Sequence, residues 1–94
     1  MKQTEVIIHR KARKEIEKLP KIIVDALIAW IRLVEKEGLS EYRKISGYHD
    51  EPLRGARLGQ RSVRLNKAYR AFYVLSANGE IEIVTVIEVN KHDY

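Results

Sequence analysis

Residues 53–74 read LRGARLGQRSVRLNKAYRAFYV, and this stretch decides the fold. Alternation over Gln60 to Leu65 predicts a strand with Val63 and Leu65 on one side and Ser62 and Arg64 on the other. Tyr69 to Leu75, rich in aromatic and β-branched residues, predicts a second strand. Six cations, Arg54, Arg57, Arg61, Arg64, Lys67 and Arg70, fall within residues 53–70, and no acidic residue occurs from Leu53 to Gly79. Strands with this bias present a basic sheet face, whose natural partner is a polyanion, RNA or DNA foremost.

Working outward, Ser76-Ala77-Asn78-Gly79 predicts a hairpin turn in which Asn-Gly supplies positive φ, and Glu80 to Val89 predicts the last strand. Upstream, Glu5 to His9 is a short apolar strand, and Arg10 to Leu19 is a helix carrying Ala12, Ile16 and Leu19 on one side. Pro20 stops that helix and suits the first turn of the next. Lys21 to Glu37 is the clearest helix. Ile23, Leu27, Trp30 and Val34 form one stripe, and Val24, Ile28 and Ile31 a second beside it. Two stripes predict burial on both sides, between the sheet and the first helix; the alternative is a face that receives a partner protein. Gly38 ends this helix, Ser40 to Ile45 is a single turn capped by Ser40, and Gly47 to Pro52 is a loop. The sum is an α+β fold: an N-terminal strand and two helices packed on one face of a small, mainly antiparallel twisted sheet. The opposite face is left to the arginines.

Ninety-four residues suit a single domain, with 45% apolar and 33% charged residues and a net charge of +5. The absence of cysteine excludes disulfides, thiolate metal sites and a cysteine nucleophile. The N-terminus lacks a signal-peptide core, and the longest apolar tract, Ala26 to Ile31, is far short of a membrane span, which suits a cytoplasmic protein. There is no phosphate loop and no metal motif, and His9, His49 and His92 are scattered, so neither metal nor cofactor is expected.

RNA can be cut without metal when its 2′-hydroxyl attacks the adjacent phosphate. The reaction needs a base, an acid, and cations for the charge on the phosphorane. Arginine serves the last need because its planar fork stays protonated and grips phosphate oxygens in pairs. Arg64 qualifies by alternation, and Arg70 joins it if the strand register sets both on one face. Arg61 faces away. The chain closes on Asn90-Lys91-His92-Asp93-Tyr94, which brings a histidine and a tyrosine suited to proton transfer or base stacking. His9, at a strand–helix junction, reads as structural.

The segment PLRGARLGQRSVRLNKAYRAFY, residues 52–73, resembles the RelE/HigB-like toxins of type II toxin–antitoxin systems, within the RelE/ParE superfamily. The match lies in Leu53-Arg54-Gly55, Gly59 to Arg64 and Tyr69-Arg70, with the helix ending in KLP and the terminal EVNKHDY in support. The resemblance implies one toxin domain over residues 1–94 and a ribosome-dependent mRNA endonuclease that enters the ribosomal A site. It also implies metal-independent cleavage and a cognate antitoxin that holds the toxin in a hetero-oligomer. By the same resemblance Arg64, Arg70, His92 and Tyr94 are the catalytic set, and Arg54, Arg57, Lys67 and Lys91 bind RNA phosphates. Ser62 stands where RelE-type members carry a second lysine, and Glu51-Pro52 where HigB-type members carry a histidine. A ParE-like inhibitor of DNA gyrase and a non-catalytic nucleic-acid-binding domain are the competing readings.

Overall fold

The computed structural model describes residues 3–91. Five strands form one sheet in the order β1-β5-β4-β3-β2, where β1 is Gln3–Ile8, β2 Glu51–Pro52, β3 Gln60–Arg64, β4 Tyr69–Asn78 and β5 Ile81–Lys91. Strand β1 runs parallel to β5, and the other pairings are antiparallel. The helices are α1 (Arg10–Ile16), α2 (Lys21–Glu37) and the short α3 (Leu39–Tyr42). The expected α+β architecture is present.

Alternation assigns the two sheet faces. Val63, Ala71, Tyr73, Val84, Val86 and Val89 are buried against Leu27, Trp30 and Val34 of α2 and Ala12 of α1. Trp30 sits at the centre, with Tyr42 edge-on at 5.7 Å and Tyr73 tilted at 5.6 Å. Residues of the opposite parity, including Ser62, Arg64, Arg70 and Phe72, form the open face. A bulge between Phe72 and Tyr73 shifts the register of β5, so Phe72 pairs with Glu88 while Tyr73 pairs with Val86. Val84 and Val86 thus face the core, and beyond the bulge so does Val89. Glu88 and Asn90 turn to the open face.

Several local expectations are corrected. Ser40 does not cap α3; Gly38 does, and its φ of 84° turns the chain sharply between α2 and α3. The β4–β5 turn is tighter than expected. Pairing runs out to Asn78 with Ile81, which leaves Gly79-Glu80 as a two-residue loop. Only Gly79 takes positive φ there, the glycine-first pattern of a type II′ hairpin. The loop before Pro52 contains a 3-10 turn, Ser46–Tyr48, and then β2, whose two residues pair with Arg61 and Ser62. Pro52 is tolerated because β2 is the edge strand. The second stripe of α2 is only partly covered: Val24 and Ile31 are half-buried and Ile28 is 40% exposed. Helix α1 makes its main contacts with β5 instead of lying over α2. There Glu15 accepts a hydrogen bond from the Val89 amide at 2.9 Å, beyond the point where β1 stops pairing.

The helix layer and the β2 edge are tied together by one buried carboxylate. The Asp50 side chain is 1% exposed. It accepts hydrogen bonds from the hydroxyls of Tyr42 and Tyr73 and from Arg61 Nε at 2.6 Å, with Arg43 Nε at 3.8 Å. Removing the acid strands two tyrosine hydroxyls and a half-buried arginine. Asp50→Ala is expected to cost about 3–5 kcal/mol in urea denaturation. Glu41→Ala, at an exposed surface pair, is expected to stay within about 0.5 kcal/mol of wild type. Equal stabilities for the two variants would contradict this account of Asp50.

Candidate functional site

The open face is organised in rows fixed by strand register. Arg64 lies directly opposite Arg70, and Arg70 opposite Asn90. In the adjacent row Glu51, Ser62, Phe72 and Glu88 follow one another across β2, β3, β4 and β5. The register comes from the β3–β4 turn, where Asn66 Oδ1 accepts from the amides of Ala68 at 2.7 Å and Tyr69 at 2.8 Å. Asparagine closes such turns with its own side chain. The expected sharing of one face by Arg64 and Arg70 is therefore met by direct pairing.

Arg70 is only 8% exposed. Its Nη1 donates to Ser62 Oγ at 2.7 Å and lies 3.8 Å from Glu51 Oε1. Ser62 is fully buried, so its hydroxyl gives the guanidinium a fixed aim without cancelling its charge. The Glu51 side chain remains 58% exposed and so is open to a ligand. Arg64 is half-buried and forms no ion pair with any described residue. It also lines a recess of about 440 Å³ with Tyr48, Leu65 and Lys67. Arg64 and Arg70 thus occupy paired strand positions, with the accessible Glu51 carboxylate beside Arg70. That arrangement can bind a phosphodiester and accept a proton beside it.

Glu88 forms a second centre. Its carboxylate, 12% exposed, accepts from Lys11 Nζ at 2.7 Å, Arg57 Nη2 at 2.7 Å and Asn90 Nδ2 at 2.6 Å. Burial pushes its carboxyl pKa up, but the hydrogen bonds from Lys11, Arg57 and Asn90 outweigh burial and hold it below the usual glutamate range. The same contact raises the Lys11 pKa.

The six cations of the basic run therefore divide. Arg64 and Arg70 stand together. Arg57 is paired with Glu88 and also donates to Gln60 at 2.9 Å. Arg61 points to the core face, as alternation predicted, and is held by Asp50. Burial lowers the Arg61 pKa, but Asp50 more than restores it and leaves it raised. Arg54 and Lys67 are exposed on loops, and Lys91 is exposed where β5 ends opposite Tyr69. His92 and Tyr94 lie outside the described residues. On the core face, burial and then the hydrogen bond to Asp50 push the Tyr73 hydroxyl up to about 12 and Tyr42 further still, so neither is a proton donor near neutral pH. His9 caps α1, with Nδ1 accepting from the Lys11 amide, in keeping with a structural role.

Sequence reasoning missed Glu51 and Glu88. Glu51 sits on a two-residue strand too short to show alternation, and Glu88 changes face through the bulge. The signal in the sequence was the adjacent apolar pair Val86-Ile87, which breaks alternation just before Glu88. No group of three His, Asp or Glu side chains able to hold a metal occurs among the described residues.

No protein-family model matches the sequence, and no curated protein matches it closely. Solved structures do match in fold. A YoeB/ParE toxin from Agrobacterium tumefaciens is 20% identical, with a TM-score of 0.72 over 95% of this chain and 99% of that one. The toxin–antitoxin complex RelBE2 from Mycobacterium tuberculosis supplies a chain that is 22% identical, with a TM-score of 0.70 over 98% and 100%. YafQ from E. coli is 15% identical, with a TM-score of 0.75 over 96% and 94%. The chain has the RelE/ParE-like fold, as the resemblance in residues 52–73 led one to expect.

The Glu88 cluster generates a pH prediction. A carboxyl whose folded-state pKa is depressed contributes stability above its unfolded value, about 4.3, and loses it as pH falls through the folded value. Urea midpoints measured from pH 6 downward are expected to fall more steeply below about pH 4 for wild type than for Glu88→Gln. Parallel curves would show that the cluster contributes no linked stability.

Proposed function

We propose that this chain is the toxin of a type II toxin–antitoxin pair and that it cleaves mRNA on the ribosome without metal. The observation that carries the reading is the direct pairing of Arg64 with Arg70 beside the accessible Glu51 carboxylate. The fold relatives support it, since one is described as a YoeB/ParE toxin and another comes from a toxin–antitoxin complex.

In this reading the scissile phosphate sits against Arg70 and Arg64. Arg70 is preorganised by Ser62 and meets the charge that develops on the non-bridging oxygens. Glu51 takes the 2′-hydroxyl proton as the 2′-oxygen bonds to phosphorus. His92 protonates the 5′-oxygen as the P–O5′ bond breaks, which leaves a 2′,3′-cyclic phosphate and a 5′-hydroxyl. Tyr94 stacks on a neighbouring base, while Arg54, Lys67 and Lys91 attract the backbone. The antitoxin covers this face or the exposed part of α2, and the complex resides in the cytoplasm.

Induced expression in growing cells tests the reading. Wild type is expected to arrest growth and to leave mRNA 5′ ends that fall in frame, within translated regions only. Arg70→Ala and Glu51→Gln are expected to lower cleavage by about 10²–10⁴-fold and to relieve arrest. Arrest with intact mRNA and damaged DNA would instead establish the gyrase-inhibitor reading.

A further inference from the structure

Arg57 differs from the other cations of the basic run. Its guanidinium Cζ stands over the Phe72 ring, 4.4 Å from the centroid. Two hydrogen bonds fix it further: Nη2 donates to Glu88 at 2.7 Å and Nη1 to Gln60 at 2.9 Å. Its charge is met by Glu88 and one N–H of each terminal nitrogen is already engaged, so it is less free than Arg64 to clamp a phosphate, which is gripped by those edges. The side chain is nevertheless 40% exposed. The guanidinium stands over the Phe72 ring, and the exposed part of the side chain offers a planar cation to a ligand.

Flat surfaces of this kind receive unstacked nucleobases, on aromatic rings and guanidinium planes alike. The location fits. Phe72 and Arg70 occupy the same face of β4 two residues apart, which is about 7 Å along the strand and on the order of one nucleotide step. We propose that Arg57, stacked on Phe72, is a platform for the nucleobase adjacent to the phosphate held by Arg64 and Arg70. This inference rests on the RNA-cleaving reading above. Glu88 and Gln60 are then positioning residues: their hydrogen bonds hold the guanidinium over Phe72. Stacking is tolerant of sequence, so the platform favours purines by contact area without reading a base edge.

The test uses the full chain and a short single-stranded RNA carrying 2-aminopurine, compared with the same oligomer made abasic. Wild type is expected to bind the intact oligomer roughly 5- to 100-fold more tightly than the abasic one, with quenched fluorescence. Arg57→Lys keeps the charge and loses the plane. It is expected to abolish that preference while binding the abasic oligomer as wild type does. An Arg57→Lys chain that retains the full preference overturns the proposal, as does a wild type that binds both oligomers alike while still producing the in-frame mRNA ends. A wild type that binds neither at low salt also overturns it, and the mapped mRNA ends then tell whether the cleavage reading falls with it.

Discussion

The buried carboxylate of Asp50 is the constraint on which the site depends. Two tyrosine hydroxyls and Arg61 converge on it from α3, β4 and β3, so the segment before β2 has one resting place. Strand geometry then leaves its neighbour no choice. With Asp50 aimed at the helix layer, Glu51 must point to the open face, where it stands 3.8 Å from Arg70. A two-residue edge strand would slip easily if only its backbone pairing held it. The interaction that stabilises the core side thus sets the register of the acid on the other.

A second constraint is the β-bulge at Phe72/Tyr73. Without it, strict alternation from Val84 and Val86 would send Glu88 and Asn90 into the core. One extra residue in β5 turns both outward at the point where the sheet carries its arginines. There Glu88 gathers Lys11 and Arg57 and lowers the local positive charge. The basic face is therefore not a uniform field. It has a neutralised, ordered flank at Arg57 and a centre where Arg64 has no ion pair among the described residues and Arg70 meets only Glu51, at 3.8 Å.

How much of this was legible in the sequence depended on the length over which a pattern repeats. Helix α2 spans seventeen residues and its apolar stripe marked both ends. Alternation in β3 separated Arg61 from Arg64, because five residues suffice to show a period of two. The pairing of Arg64 with Arg70 was left open, since register depends on how Asn66 closes the turn. Glu51 and Glu88 were invisible for a related reason: each owes its direction to a feature with no periodic trace, a two-residue strand and a bulge. The second stripe of α2 misled because a stripe marks apolarity, and the residue that covers it is a matter of tertiary arrangement. Ser40 misled because Gly38, two positions earlier and with positive φ, had already made the turn.

The centre of the site carries its own cost. Like charges directly opposite on neighbouring strands are destabilising. Arginine cannot relieve the conflict by shedding its proton, as a lysine or histidine in the same place could. The fold tolerates the pair because Ser62 and Glu51 attend Arg70 and because Arg64 is only half-buried. A phosphodiester between the two guanidinium groups would remove the repulsion, and the dianionic phosphorane would do so more completely than the singly charged ground state. In the proposed reaction, repulsion between the two guanidinium groups would be relieved more fully as the transition state forms. If the chain cleaves RNA as proposed, that would supply the differential stabilisation catalysis requires. The pairing of Arg57 with Glu88 keeps a further unpaired cation from adding repulsion beside Arg64 and Arg70.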